Sequence, residues 1–267
     1  MKKIRAHKTP IRRTKTPVSI AVIGRGRLGS SYAQAIRKSS RFTLFAHLSA
    51  RSRSFEVLGE NEGPQIVFIV CKDSSISSVA QKAISACGQN LSIAVHSAGS
   101  LPSSILPKKE NLSRLMLHPI QTFAAINPDL FKNITFGIET NDNNAVIFAK
   151  EFSKELEGKG ILQLRASQLP LYHATMVIAS NFITLLGGAI EKLSKQLGVK
   201  KVDLKKAVAP LMNRSLTNVL KTDSKGALTG PIARGDKTTV DKNREALKKE
   251  SAVLKLYDAF ITLAKDL

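Results

Sequence analysis

The chain has 267 residues, 43% of them hydrophobic, which is enough for one large domain or two modest ones and excludes a collagenous, low-complexity or wholly disordered protein. Its two cysteines, Cys71 and Cys87, show neither metal spacing nor a disulfide framework, so no metal is expected and a reduced, cytoplasmic setting is the default. The net charge is +21, and with 5% aromatics and no Trp the core is expected to rest on Val, Ile, Leu and Ala.

In chain order, residues 1–17 read as a basic arm ending at Pro17, with no apolar segment of signal-peptide type behind it. Fourteen Lys and Arg precede the first acidic residue, Glu56, and seven of them fall in the first fifteen residues. An arm of this kind suits an anionic partner. No nucleic-acid module or basic patch with interleaved aromatics accompanies it, so nucleic acid is not an expected partner. No uninterrupted apolar run reaches the ~18 residues of a membrane span, so no membrane association is expected.

VSIAVI, 18–23, predicts a strand buried on both faces, followed by a Gly-rich turn and a helix to about Ser39. FTLFAHL, 42–48, and IVFIV, 66–70, predict further strands, and SSISSVAQKAISAC a helix. SIAVHSAG, RLMLHPIQTF, ITFGIE and GILQL continue the alternation to about Leu164. The expected fold class is α/β: a Rossmann-like doubly wound parallel sheet over 18–165, followed by an all-helical C-terminal domain over 166–267. Helices are predicted over Gln168–Leu197, stopped by Gly198, over Val202–Leu220 and over Thr239–Asp266.

Gly24, Gly26 and Gly29 make G-x-G-x-x-G directly after a strand and at the start of a helix. The first glycine permits the tight turn, the second admits a pyrophosphate, and the third packs helix on strand. Free N–H groups and the helix dipole would then face the phosphates, with Arg25, Arg27 and Leu28 inside the loop. An NAD site carries an acid about twenty residues on. That window, LFAHLSARSRS, has none and offers Ser49, Arg51, Ser52 and Arg53 instead, which suits the 2′-phosphate of NADP(H). Ser97 and Gly99, at the end of the SIAV strand, are expected beside the nicotinamide.

Asp73, with Ser74 and Ser75, is expected to cap the following helix. His96 is either a strand-end residue or a functional one. His118 could exchange a proton with a carbonyl or imine, or could merely hold a loop carbonyl. His173 lies in an apolar helix, where 100° per residue places Val177, Ser180 and Thr184 on its face, with Asn181 about 80° round. The reading of His173 as proton donor, assisted by Ser180, Asn181 or His118, competes with a buried His bonded to a neighbouring helix. In ALTGPIARGD, Thr229, Arg234 and Asp236 are substrate-binding candidates. Arg234 would clamp an anion, unless it pairs with Asp236 to pin the loop.

Three segments together, VIGRGRLGSSYAQAI, LHPIQTF with LYHATMVIASNF, and ALTGPIARGD, resemble the bacterial family that joins a Rossmann-like domain to a C-terminal domain of unknown function, number 2520. The resemblance covers about residues 18–267 and implies an NADP-dependent oxidoreductase without naming a substrate. It extends to a superfamily with pyrroline-5-carboxylate reductase and 6-phosphogluconate dehydrogenase-like enzymes. That superfamily implies a homodimer built by the C-terminal helices and an active site in the cleft between domains. It also implies a proton-donating Lys and an Asn on the helix of His173, and this sequence has no Lys there. The function expected is hydride transfer between NADP(H) and a small, anionic carbonyl or imine substrate. The alternative is a non-catalytic NADP-binding sensor or regulatory protein.

Overall fold

The computed structural model describes residues 17–267, so residues 1–16 of the basic arm lie outside the described residues. Strand β1, Val18–Ile23, is laid down by a β-branched run whose alternate side chains point to opposite faces. Ile20 and Val22 enter one core with Tyr32, Ile36 and Phe68, while Ala21 and Ile23 enter a second with Val67, Ile69 and Ala80. Helix α1, Arg27–Lys38, and strand β2, Phe42–Leu48, follow. Next come β3, Ile66–Ile69, α2, Ile76–Ala86, and β4, Ile93–His96. The sheet continues with β5, Ser113–Pro119, and β6, Thr135–Glu139. Helix α3, Asn143–Glu155, then leads to β7, Gly160–Gln163.

The seven strands order as β2-β1-β3-β4-β5-β6-β7. Every neighbouring pair is parallel except β5 with β6, where Leu117 faces Ile138 antiparallel. The wholly parallel sheet expected from the sequence is thus corrected at one pairing. Between Pro119 and Thr135 the chain holds one short 3₁₀ turn, Pro128–Phe131, and no crossover helix. Without a crossover the strand must return in the opposite sense.

The core also departs from expectation. Tyr32 stacks on Phe131 with ring centroids 4.6 Å apart and meets Phe68 edge-on at 5.1 Å. Phe42, Phe136, Phe148 and Phe152 complete the cluster, all buried. The few aromatics are concentrated on one face of the sheet instead of being spread through the chain. Each such ring buries 150–250 Å² and adds about 0.5–1.5 kcal/mol per well-placed pair.

Helix α4, Leu169–Val177, passes through a π turn, Ile178–Phe182, into α5, Ile183–Gln196. The chain divides into two compact units after Ser180, later than the expected boundary at 165/166. Leu169 and Tyr172 of α4 bury against Met116 of β5, which ties α4 to the first unit. The helical run from Ala166 to Gln196 is long enough, and over part of its length apolar enough, to cross a membrane by length and composition. Scattered polar residues such as Ser180 and Asn181 hide it from a search for an unbroken apolar run.

The second unit holds the rest of α5, then α6, Lys201–Lys221, α7, Ser224–Ala227, and α8, Gly230–Ala233. Gly198 ends the α5 run at φ +65°. The single C-terminal helix expected is two, α9, Lys237–Leu247, and α10, Ser251–Ala264. Arg244 of α9 bonds Asp258 of α10 at 2.8 Å and joins the two helices.

Candidate functional site

The turn between β1 and α1 carries the fingerprint. Gly24 sits at φ +139°, and a Cβ there would stand 1.9 Å from the Val70 carbonyl oxygen. A Cβ at Gly29 would stand 2.2 Å from the Gly24 carbonyl oxygen. Those two glycines are required by the protein's own backbone. Gly26 differs: it caps α1 in an extended conformation, and a Cβ there would meet nothing within 4 Å. No side chain caps α1, and its first turn holds no acid. The N–H groups of that first turn therefore have no intrahelical partner and face open space. An uncapped helix start beside a glycine that needs no room for the protein itself fits a dinucleotide pyrophosphate.

The turn opens on a cleft of about 920 Å³. Gly24, Arg25, Gly26, Arg27, Leu28, Gly29, Ser49, Arg51 and Ser97 line it, as the sequence suggested. Ser52 does not, because its hydroxyl donates to the Ser54 carbonyl at 2.8 Å inside a local turn. Arg53 is likewise absent from the walls. Arg25 donates to the His47 carbonyl at 3.1 Å, while the His47 ring donates to the Gly24 carbonyl at 2.9 Å. This exchange joins the end of β2 to the glycine loop. Arg27 instead reaches the Ala124 carbonyl at 3.2 Å and pins the loop that carries Phe123 to the cleft.

Sequence reasoning missed the far wall. Ser75, Ser78, Val79 and Lys82 line the cleft from α2, a helical face at i, i+3, i+4 and i+7 that the sequence does contain. Lys72, Cys71 and Asp73 line it from the end of β3. Burial and the neighbouring Asp73 push the Cys71 thiol up to about 11, so it stays neutral. Asp73 does not cap α2, whose N-cap Ser75 makes no side-chain cap bond. The Asp73 carboxylate accepts from the Ser100 hydroxyl at 3.3 Å instead.

At the other end of the wall Ser97 and Ala98 lead to Gly99. Gly99 packs against the His118 ring, and a Cβ there would lie 3.0 Å from two ring atoms. His118 Nδ1 is 2.7 Å from the Tyr172 hydroxyl, and the His173 ring lies 6.5 Å from the His118 ring between centroids. The structure thus brings His118 and His173 together in the first unit and adds Tyr172. Burial, then repulsion from His173, push His118 down to about 4, against a smaller opposing pull from Asp73. Burial pushes Tyr172 up to about 12. His96 is the strand-end alternative: fully buried, it donates to the Pro102 carbonyl at 3.2 Å and accepts from the Ala98 N–H at 3.3 Å.

The polar stripe read on the helix of His173 does not carry through. Its 100° arithmetic assumes an unbroken α-helix, and the π turn intervenes. Ser180 donates to the Met176 carbonyl at 2.7 Å, so its proton is already engaged. Asn181 and Thr184 lie in the second unit. So do Thr229, Arg234 and Asp236. Thr229 is the N-cap residue of α8 without a side-chain cap bond, and Arg234 closes that helix. Asp236 caps α9, accepting from the Thr239 N–H at 3.0 Å and its hydroxyl at 2.7 Å. Those bonds, with a smaller pull from Arg234, hold its carboxyl below the usual range. Helix capping accounts for the position of the Asp236 carboxylate. Among the described residues no cluster of three or more His, Cys, Asp or Glu could hold a metal.

Residues 134–263 match the family described as a domain of unknown function, DUF2520. No curated protein matches the sequence. Among solved structures, the fold is shared with a Bacteroides fragilis protein provisionally named an NADP oxidoreductase, at TM-score 0.76 and 20% identity over 94% of this chain and 99% of that one. A Thermotoga maritima protein whose name states no activity superposes at TM-score 0.70 and 25% identity, over 93% and 97% of the two chains. Plasmodium falciparum pyrroline carboxylate reductase, solved with NADP bound, superposes at TM-score 0.59 and 15% identity, over 93% and 97%. The chain thus has a Rossmann-like fold, and its residues 134–263 are similar to the domain of unknown function that its three motifs suggested.

Proposed function

We propose that the protein is a cytoplasmic NADP(H)-dependent oxidoreductase acting on a small, anionic carbonyl or imine compound. The observation that carries this reading is the continuity of one wall. The glycine turn and its uncapped helix lead along the cleft to Ser97 and Ala98, and Gly99 then abuts the cluster of His118, Tyr172 and His173. The cleft walls hold Arg25, Arg27, Arg51, Lys72 and Lys82 against the single acid Asp73, a balance that favours a polyanionic nucleotide.

When bound, the nicotinamide supplies or accepts the hydride. The chain's own residues do the rest. The first turn of α1 and Gly26 hold the pyrophosphate, and Ser49 and Arg51 hold the 2′-phosphate. His173 gives or takes the proton at the substrate oxygen or nitrogen, with His118 beside it. The preference for an anion is read from the sequence, on the guanidinium of Arg234, a planar donor of bidentate hydrogen bonds.

Titration of the purified chain with NADPH and with NADH, read by thermal shift, tests this first. Ligand that binds only the folded state at a hundredfold excess over Kd stabilises by about 2.7 kcal/mol. A clear shift with NADPH and a weak one with NADH is expected, followed by NADPH turnover on a carbonyl or imine panel that is lost in His173→Ala. Tight binding without turnover by the unaltered chain points to the sensor alternative, and no shift with either nucleotide overturns the reading.

A homodimer through the C-terminal helices is part of the same proposal. Leu185, Leu211 and Leu220 are 64%, 67% and 77% exposed in the single chain, and α6 buries no residue at all. Exposed apolar faces of this extent mark an interaction surface. Light scattering of the soluble protein is expected to give about twice 29.0 kDa. A monomer, or recovery only with membranes, is the contrary result.

A further inference from the structure

Two glycines in this fold adopt backbone conformations open to any residue, yet a side chain on either would crowd a neighbouring ring. Gly99 and Gly137 both lie outside the positive-φ set. A Cβ on Gly99 would stand 3.0 Å from the Cγ and Nδ1 atoms of His118. A Cβ on Gly137, in mid-strand on β6, would overlap the Tyr172 hydroxyl group. Glycine in a strand interior weakens the strand, so its presence marks a close approach. Both close approaches are made by the two ends of one hydrogen bond, His118 Nδ1 to Tyr172 Oη at 2.7 Å. β4 and β5 pair in parallel and β5 pairs antiparallel with β6, with His118 facing Gly137 in register. The hydrogen-bonded pair of His118 and Tyr172 therefore occupies the space that side chains at Gly99 and Gly137 would take.

The direction of that hydrogen bond follows from what surrounds it. Tyr172 is buried, and His118 Nδ1 is the only side-chain or backbone partner its hydroxyl has among the described residues. A buried phenol needs an acceptor for its proton. An imidazole with its proton on Nδ1 would offer none. The phenol therefore donates, Nδ1 accepts, and the ring proton sits on Nε2. No buried side-chain nitrogen or oxygen among the described residues lacks a partner, and Nε2 has none, so Nε2 is reached from outside. The groups that bear on the ring are His173 and Asp73, one opposing and one favouring its positive charge, and Tyr172 itself.

We propose that Tyr172 is the positioning residue for His118, locking it as a neutral imidazole whose Nε2–H is presented to the substrate's carbonyl oxygen or imine nitrogen. This rests on the cleft being the redox site proposed above. A neutral imidazole polarises a carbonyl without giving up its proton, as an electrophile. His118 then holds the acceptor atom while His173, its neighbour, exchanges the proton. The division of labour explains why two histidines stand side by side.

The test reads the ring itself. Nitrogen-15 spectra of the full-length chain, without and with NADPH, are recorded for the unaltered protein and for Tyr172→Phe. In the unaltered protein His118 is expected as the Nε2–H tautomer throughout pH 6–8, with its Nδ1 resonance displaced by the accepted hydrogen bond. In Tyr172→Phe that displacement is expected to vanish and the second tautomer to appear, with the NADPH dissociation constant changed less than about twofold. An Nδ1–H tautomer in the unaltered protein overturns the proposal without any variant. So does a Tyr172→Phe spectrum identical to it. Failure of the unaltered chain to bind NADPH, with the tautomer as expected, overturns the redox reading and the substrate role of His118 while leaving the locking by Tyr172 standing.

Discussion

Gly26→Ala is expected to fold with a Tm within a few degrees of the unaltered protein and to lose NADPH affinity by about tenfold to a hundredfold. Its φ of −71° and ψ of 176° suit alanine, and the new Cβ would meet nothing within 4 Å. A smaller loss of chain entropy on folding, about 0.4–1 kcal/mol, offsets the poorer N-cap. Only a ligand pressed against the turn would feel the methyl group, at the ~1–3 kcal/mol of an overpacked contact. Gly24→Ala is expected to behave oppositely. There the Cβ would stand 1.9 Å from a backbone oxygen at φ +139°. Strain of about 1–3 kcal/mol adds to overpacking of similar size. The sum is a large part of a stability of ~5–15 kcal/mol, and a Tm fall of roughly 5–20 °C should be seen by calorimetry before any nucleotide is added. Equal NADPH binding by Gly26→Ala and the unaltered chain would show that the turn is not a phosphate cradle.

The contrast between these glycines indicates what a sequence can carry. The G-x-G-x-x-G spacing announced the turn, because β1 is a continuous β-branched run and α1 follows at once. It could not say which glycine serves the backbone and which serves a ligand, since that depends on Val70, far along the chain. The strands from Val18 to Pro119 were legible for the same local reason. The reversed sense of β6 was not, because direction of pairing leaves no mark on the apolar pattern of ITFGIE. His118 and His173 were legible as residue types. Their meeting was not, nor was Tyr172, whose partner is 54 residues away. The helical arithmetic around His173 went astray at the π turn, a local change of pitch that apolar periodicity does not signal. Asp73 read as a helix cap and Asp236 as a substrate or loop-pinning residue, whereas in the structure Asp236 caps its helix and Asp73 does not.

On the proposed reading, coenzyme choice turns on charge at the end of β2. Arg51→Ala is expected to raise the NADPH dissociation constant roughly tenfold or more while changing that of NADH less than about threefold. Arg51 stands on the cleft wall with Ser49, and Arg25 reaches the same strand end through the His47 carbonyl. A hydrogen bond to a charged group contributes ~1.5–3 kcal/mol, and the lower part of that range applies to an exposed guanidinium screened by salt. Each 1.4 kcal/mol is tenfold in affinity. Because NADH lacks the 2′-phosphate, it has nothing for Arg51 to lose. Arg53→Ala provides the internal comparison: it carries the same charge two residues on but is absent from the walls, and both coenzymes should bind it as they bind the unaltered chain. The preference should also weaken as ionic strength rises, since the guanidinium is exposed. Equal losses for NADPH and NADH in Arg51→Ala would assign the residue to general attraction of the pyrophosphate. Coenzyme selection would then pass to Lys72 and Lys82, which line the same cleft.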